Sequence, residues 1–138
     1  MFDLTGKNVL VTGASGGIGG EIARRLHASG ATVGISGTRL EPLQALAAEL
    51  GERAHVLTCN LSDTAAVAEL PKQASEVMGS VDVLVNNAGI IALGSIVDTT
   101  LESWRLINSV NSDGVFLGCK HAIPAMTASG GGSIINMS

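Results

Sequence analysis

A run of glycines early in the sequence has the composition of a phosphate-binding turn. The segment TGASGGIG, residues 12 to 19, stands between a short apolar run and a stretch with helical periodicity. Glycine lets the chain turn tightly, lets the backbone approach a pyrophosphate, and lets the helix pack closely on the strand. The first turn of the helix adds free N–H groups and the positive end of its dipole. No Gly-Lys-Ser/Thr follows, which argues against triphosphate hydrolysis.

This turn needs a strand before it and a helix after it, and the rest of the sequence repeats that alternation. Continuous apolar runs are typical of strands buried on both faces. The predicted strands are Asn8–Thr12, Thr32–Ser36, His55–Cys59, Val81–Val85 and Ser133–Met137. Helices are predicted between them, the last a long one that passes through Asn111 toward Ala128. Right-handed βαβ units then give an α/β fold, a doubly wound parallel sheet of five strands in the order 3-2-1-4-5 with three α/β/α layers.

Local signals mark where two of the helices begin and where two of them bend. Residues 38–41 and 99–102, Thr-Arg-Leu-Glu and Thr-Thr-Leu-Glu, have the form of a capping box, in which Thr and Glu side chains bond backbone N–H groups. Thr38 is thus predicted to be the N-cap of the second helix. Proline inside a helix removes a hydrogen bond. Pro71 is therefore expected to kink or split the third helix, and Pro124 to bend the fourth.

Several segments, in order along the chain, resemble the motifs of one enzyme family. TGASGGIG is similar to the TGxxxGxG fingerprint of the short-chain dehydrogenase/reductase family, and VNNAG at residues 85–89 to its NNAG motif. Further similar positions are Asn60-Leu61, Asn111 in SVNSDGVFLG, and the closing GGSIINMS. The resemblance runs from about Leu4 to Ser138. It implies one Rossmann-like dinucleotide-binding domain over residues 1–138, truncated before the family's C-terminal catalytic part.

The resemblance implies hydride transfer between a nicotinamide dinucleotide and a carbonyl or alcohol, and it assigns cofactor-binding roles. Residues of the glycine turn are expected at the pyrophosphate and adjoining ribose, Asn60 and Leu61 at the adenine, and the NNAG residues at the other ribose. The candidates are Gly13, Ser15, Gly17, Ile18, Gly19, Asn60, Leu61, Asn87, Ala88 and Gly89. Asn86 has two open interpretations, a part in this site or a structural bond from the fourth strand to its neighbour.

The end of the second strand bears on the choice between NADP and NAD. NAD sites place an acidic residue roughly 20 residues after the glycines to bind the ribose 2′-hydroxyl. The segment Ser36-Gly37-Thr38-Arg39 has no acid, and the next one is Glu41. Arg39 could pair with a 2′-phosphate, so NADP is the preferred cofactor and NAD the alternative. Gly16 tempers this preference, because many NADP-preferring relatives carry Arg or Lys at that position.

Most residues that the resemblance would make catalytic are absent from this sequence. Asn111 matches the family's catalytic tetrad, where it holds a water that links to a lysine. The general acid/base is a tyrosine in Tyr-x-x-x-Lys, and the chain has no tyrosine. Ser138 matches the serine before the catalytic one. We therefore expect a cofactor-binding portion that is inactive by itself. A fragment, a cleaved product and a minimal nucleotide-binding domain remain open as explanations.

Composition argues against several other classes of protein. A net charge of −4 and only three aromatic residues do not suit a nucleic-acid partner. Cys59 and Cys119 fit no metal spacing and are expected to be buried thiols in a reducing cytosol. No apolar stretch is long enough to span a membrane, and the N-terminus does not have the pattern of a signal peptide. A cytoplasmic protein without metal is expected.

Two surfaces of the predicted fold favour self-association. The fifth strand, Ser133–Met137, would be an apolar edge, which tends to pair with another chain. The long helix around Asn111 would lack a helical neighbour; its apolar residues include Trp104, Val110, Val115, Phe116 and Leu117. These surfaces also support an alternative function, a non-catalytic nucleotide-binding or oligomerisation module.

Overall fold

The computed structural model describes residues 2–138 and contains a five-stranded parallel sheet. The strands are β1 (Asn8–Val11), β2 (Thr32–Gly37), β3 (Ala54–Thr58), β4 (Val83–Asn86) and β5 (Ser133–Asn136). Their order is β3-β2-β1-β4-β5, and every neighbouring pair is parallel. The predicted sheet order is confirmed.

Within residues 2–138, five α-helices connect the strands and cover both faces of the sheet. They are α1 (Gly17–Ala28), α2 (Leu40–Leu50), α3 (Thr64–Met78), α4 (Leu101–Asn108) and α5 (Gly114–Ala128). One apolar core lies between the sheet and α1 and α2; its strand residues include Val9, Val11, Val33 and Ile35. The other lies between the sheet and α3 and α5; its strand residues include Leu10, Leu57 and Leu84. Each fully buried Val, Leu or Ile side chain contributes roughly 1.5–3 kcal/mol to the free energy of unfolding. Because a core lies on each face of the sheet, the predicted three-layer arrangement is confirmed.

The predicted capping box at Thr38 is wrong. The N-cap of α2 is Arg39, and it makes no side-chain capping bond. The Thr38 hydroxyl instead donates to the carbonyl oxygen of Cys59 across 3.5 Å. Thr38 therefore links the ends of β2 and β3, because the extended backbone continues one residue further than the sequence pattern indicates.

The long helix predicted from residues 99–102 onward is interrupted. Its N-cap is Thr100, whose hydroxyl oxygen accepts a hydrogen bond from the Ser103 N–H at 3.1 Å. A π-helical segment, Ser109–Asp113, then separates α4 from α5. Such segments are rare and occur frequently at functional sites, because the widened turn redirects side chains.

Of the two outcomes expected at Pro71, a kink or a split of the third helix, the split is wrong, because α3 is continuous from Thr64 to Met78. Pro71 is buried together with its neighbours Leu70 and Ala74. Packing of this face on the sheet outweighs the one backbone hydrogen bond that proline removes. The start of α3 is fixed by Asp63, whose carboxylate accepts hydrogen bonds from the next helix N–H groups.

Candidate functional site

A cleft of about 580 Å³ opens at the carboxyl ends of the strands. Crevices at this edge of an open parallel sheet are the usual ligand sites of doubly wound proteins. All of the predicted cofactor-binding residues line it: Gly13, Ser15, Gly17, Ile18, Gly19, Arg39, Asn60, Leu61, Asn87, Ala88 and Gly89. Residues that the sequence reasoning did not assign also line it: Gly16, Gly37, Thr38, Ser62, Ile90, Leu106 and Val110. The fold thus brings five separate segments of the chain to one site.

The glycine turn is shaped by two close backbone approaches. Gly13 has φ +66°, and a Cβ there would lie 2.8 Å from the Cα of Ala88. A Cβ on Gly19 would collide with the carbonyl oxygen of Gly13 and with the side-chain amide of Asn87. Gly17 differs, because a Cβ there would meet no atom within 4 Å. Gly13 and Gly19 are needed for the fold, whereas Gly17 leaves open space in the cleft.

The first turn of α1 offers unpaired donors to this space. The N-cap residue Gly16 has no side chain with which to cap the helix. The first backbone N–H of the helix with an intrahelical acceptor is that of Gly20, which bonds the Gly16 carbonyl at 2.9 Å. The N–H groups of Gly17, Ile18 and Gly19 have no acceptor in the part of the chain that the structure describes, so they can bind an anion, and the helix dipole favours negative charge at this end. The arrangement fits a phosphate group.

Thr12 joins the glycine turn to the loop after β4. Its buried hydroxyl oxygen accepts hydrogen bonds from the N–H groups of Asn87 and Ala88, each at 3.1 Å, and donates to the Val85 carbonyl at 3.3 Å. The Asn87 side-chain amide donates to the Thr12 carbonyl at 3.2 Å. The Asn87 side-chain amide therefore donates to the protein backbone and positions the loop after β4. A hydroxyl at a strand end, directly before the glycines, is the sequence signal that could have identified Thr12.

The wall formed by the ends of β2 and β3 is polar and carries the only charge of the cleft. Within residues 2–138, Arg39 is the single charged residue among those that line the cleft, and its guanidinium makes no hydrogen bond or salt bridge. Nearby, the Asn60 side-chain oxygen accepts hydrogen bonds from the Ser62 N–H at 3.1 Å and the Ser62 hydroxyl at 2.7 Å. An uncompensated guanidinium at the cleft favours an anionic group on the ligand.

Asn111 lies in the middle of the π-helical segment and clamps the opposite wall. Its side-chain oxygen accepts from the Ile90 N–H, and its amide donates to the Ile90 carbonyl, both at 2.8 Å. Asn111 therefore ties the loop after β4 to the π-helical segment.

Asn86 makes the structural bond that was one of its two interpretations. Its amide donates to the side-chain oxygen of Asn136, the residue opposite it on β5, at 2.9 Å. It also donates to the Cys119 sulfur at 3.7 Å. Gly118 allows this arrangement, because a Cβ there would lie 2.9 Å from the Asn86 oxygen. Asn86 does not line the cleft.

Cys59 directly precedes the cleft residue Asn60, and its thiol has a shifted pKa. Burial, together with the nearby Asp63 carboxylate, raises the pKa of the Cys59 thiol, so this thiol remains protonated at neutral pH. Among the residues the structure describes, no three His, Cys, Asp or Glu side chains are grouped so that they could hold a metal ion. Nor does any described helix have the length and apolar character needed to cross a membrane.

The sheet order and the glycine-lined cleft at its carboxyl edge define a doubly wound α/β protein of the dinucleotide-binding type. The family model for short chain dehydrogenase matches residues 7–138. The chain therefore belongs to the short-chain dehydrogenase/reductase family, as the sequence motifs indicated. Members of this family bind nicotinamide dinucleotide cofactors.

Individual relatives agree with this assignment. The chain is 47% identical over 137 residues to nodulation protein G of Rhizobium sp. strain N33. This match covers 99% of the chain and 56% of nodulation protein G. It is 40% identical to a 3-beta-hydroxysteroid dehydrogenase of Comamonas testosteroni, with coverage of 97% and 52%. A crystal structure of a short-chain type dehydrogenase/reductase from Mycobacterium marinum superposes with a TM-score of 0.91 at 36% identity, with coverage of 98% and 56%. The chain spans about half the length of the relatives it matches.

Proposed function

We propose that this chain is the NADP-binding portion of an oxidoreductase that transfers hydride between the nicotinamide and a carbonyl or alcohol. The observation that carries the proposal is the convergence of all the predicted cofactor-binding residues on one cleft. The bound cofactor supplies the hydride chemistry, and the residues of this chain bind and orient it. The sequence contains no tyrosine, so the family's expected acid/base is not among these residues, and no turnover is expected from them alone.

The shape and charge of the cleft support the placement of a dinucleotide in it. Gly17, Ile18 and Gly19 at the start of α1 line the cleft, and their free N–H groups suit the pyrophosphate. The wall with Arg39 and Asn60 would take the adenosine, because the 2′-phosphate of NADP belongs to the adenosine ribose. The wall from Asn87 to Ile90, completed by Val110, would take the nicotinamide end. An NAD ribose would favour an acidic residue at its 2′-hydroxyl. No acidic residue of the described chain lines the cleft.

The test is a titration of the chain with NADPH and NADH, followed by nicotinamide fluorescence. We expect saturable binding of both, tighter for NADPH. Arg39→Ala should weaken NADPH about tenfold, since a charge-assisted bond to the phosphate is lost, and should change NADH affinity less than twofold. Arg105→Ala is the matched control, because it removes an exposed arginine that does not line the cleft. If neither NADPH nor NADH binds at millimolar concentration, the proposal is refuted. If Arg39→Ala weakens the affinities for NADPH and NADH equally, the NADP preference is refuted.

We also propose that the chain associates with itself. Ile135 on the edge strand β5 is 49% exposed, and Trp104 and Phe116 on α4 and α5 are 54% and 62% exposed. Large apolar side chains left in water at a sheet edge and along α4 and α5 favour burial against a partner. Sedimentation over a hundredfold concentration range should show a growing larger species, and a monomer at all concentrations would contradict this. Association without cofactor binding would favour the alternative of an oligomerisation module.

A further inference from the structure

The strand β5 is an edge strand that carries none of the usual features that protect an edge. Within residues 2–138 it pairs on one side only, with β4, and none of its residues lines the cofactor cleft. Its sequence, Ser-Ile-Ile-Asn, contains no proline and no charged residue, the common means by which proteins keep exposed edges apart. The outer edge of β5, the side away from β4, can therefore pair with another strand while the cleft stays open.

The hydrogen bonds toward β4 define which backbone groups of β5 point outward. The N–H groups of Ser133 and Met137 both donate to carbonyl oxygens on the β4 side, at 2.9 Å and 3.1 Å. Backbone groups alternate between the two edges of a parallel strand, so Ile135 also faces β4. The N–H and C=O groups of Ile134 and Asn136 therefore face outward. The outer edge thus presents the donor and the acceptor of two alternate residues.

This pattern of outward groups is complementary to itself. A two-fold axis perpendicular to the sheet sets the β5 strands of two copies antiparallel. Ile134 of one copy can then lie opposite Asn136 of the other, and each of the two such pairs exchanges both of its N–H···O bonds. A two-fold axis along the strands would instead set the outward groups of both copies at the same level, whereas a parallel ladder needs them staggered. A symmetric pair that uses all the outward groups of β5 is therefore antiparallel.

The side chain at the centre of β5 agrees with this pairing. Ile135 is 49% exposed. In the antiparallel register it lies opposite the partner's Ile135 in a non-hydrogen-bonded pair, where the side chains are closest, so that each isoleucine shields the other from water. We propose that two copies of the chain pair antiparallel through β5, with the two-fold axis at Ile135 and one continuous sheet across both. This inference rests on the self-association proposed above, to which it adds the surface, the symmetry and the register.

Disulfide cross-linking tests the register directly. Ile135→Cys is made in the 138-residue chain with Cys119→Ser, which leaves only the buried Cys59 as a native thiol. Its two copies would have Cα atoms about 4.5 Å apart, within the disulfide range of about 4.4–6.8 Å, so oxidation should convert most of the variant into a covalent dimer. Ser133→Cys is the matched control, because the two copies of residue 133 would be roughly 13 Å apart and should not cross-link. A mixture of Ser133→Cys and Met137→Cys chains should cross-link, since these residues lie opposite each other.

Sedimentation of charged variants tests the contact without a cross-link. Ile135→Lys sets like charges opposite each other and removes the apolar contact, so it should raise the dissociation constant of the dimer at least about tenfold. Ser133→Lys faces the partner's Met137 and should change that constant less than about threefold. Both variants should bind NADPH as tightly as the unsubstituted chain, because β5 does not line the cleft.

The outcomes separate this inference from the proposals on which it rests. It is overturned alone if the chain associates but Ile135→Cys cross-links no better than Ser133→Cys, or if Ile135→Lys dimerises as tightly as the unsubstituted chain. If the unsubstituted chain is a monomer at all concentrations, the proposed self-association fails and this inference fails with it. The NADPH titration decides the cofactor proposal independently of both results.

Discussion

Replacing Gly17 with alanine should separate cofactor binding from folding. Gly17 is the first residue of α1, and its φ is not among the left-handed ones. A Cβ there would meet no protein atom within 4 Å. Helical Cα–Cβ bonds tilt toward the N-terminus, which here is the end facing the cleft. The added methyl group should therefore leave the protein unstrained and occupy the space that a phosphate needs.

The two effects have opposite signs. Without cofactor, Gly17→Ala should raise the free energy of unfolding by up to about 1 kcal/mol, because alanine restricts the unfolded chain and favours helix. With cofactor, displacement of the phosphate from the helix N–H groups should cost about 2 kcal/mol, or roughly 30-fold in Kd. At a concentration 100 times the original Kd, NADPH adds about 2.7 kcal/mol to the stability of the unsubstituted chain, but only about 0.9 kcal/mol to that of the variant.

The assay is thermal unfolding of both proteins with and without NADPH. The variant should melt higher without cofactor and lower with it, and this reversal of rank is hard to produce by a general defect. Gly19→Ala is the contrasting variant, since its Cβ would collide with Gly13 and Asn87, and it should melt lower under both conditions. Gly94→Ala, in an open loop away from the cleft, should leave NADPH affinity unchanged, so any gain in its melting temperature should be the same with and without NADPH.

Two results would refute the reasoning. Unchanged NADPH affinity in Gly17→Ala would mean that no phosphate lies against the start of α1. A melting temperature lowered as much as in Gly19→Ala would mean that the open space around Gly17 is filled by protein in solution.

Four further predictions concern buried and clamping groups. The Ser36 hydroxyl is fully buried and, within the described chain, has no hydrogen-bond partner; Ser36→Ala should therefore raise the free energy of unfolding by about 1 kcal/mol in urea titration, and a loss of stability would show that an unseen partner exists. Asn111→Ala should remove both bonds to Ile90 and weaken NADPH about tenfold, whereas Asn111→Asp keeps one bond and should lie between; equal NADPH affinity in all three would contradict the clamp. In the native chain a thiol reagent should modify the partly exposed Cys119 well before the buried Cys59, whose raised pKa disfavours the thiolate. Faster labelling of Cys59 than of Cys119 would count against the burial of Cys59. Because the pKa of the Cys59 thiol is higher in the folded than in the unfolded chain, the free energy of unfolding measured in urea should decline as the pH rises past the pKa of the unfolded thiol.

The sequence predicted those features that depend on periodicity and on motif order. The apolar runs around Val9, Val33 and Leu84 are buried on both faces, so a continuous pattern identified the strands and their alternation with helices gave the sheet order. The glycine turn and the two asparagine motifs follow strand ends, and parallel strands end at the same edge. That geometry brought the predicted residues together.

Features that depend on contacts between distant segments were not predictable in this way. A capping box is a local pattern. At Thr38 the hydroxyl does not cap the helix but donates to the carbonyl of Cys59, 21 residues further along the chain. The bonds of Thr12 to Asn87 and of Asn111 to Ile90 join segments that only the folded sheet brings together. The π-helical segment has no periodic signature in a stretch this short. Sequence reasoning thus located the cleft and did not predict what holds its walls.

The bond between Asn111 and Ile90 marks a boundary between a fixed wall and a variable one. Up to Ile90 the loop after β4 is held through Thr12 and Asn111. Beyond it, the hydrogen bonds of residues 91–98 within the described chain stay inside the segment or reach only Thr99. The segment is also apolar and open to solvent, with Leu93 93% exposed. Residues 91–98 can therefore change in length and in chemistry without breaking the hydrogen bonds that hold the cleft. The same nucleotide-binding cleft can thus be combined with different surfaces at this segment.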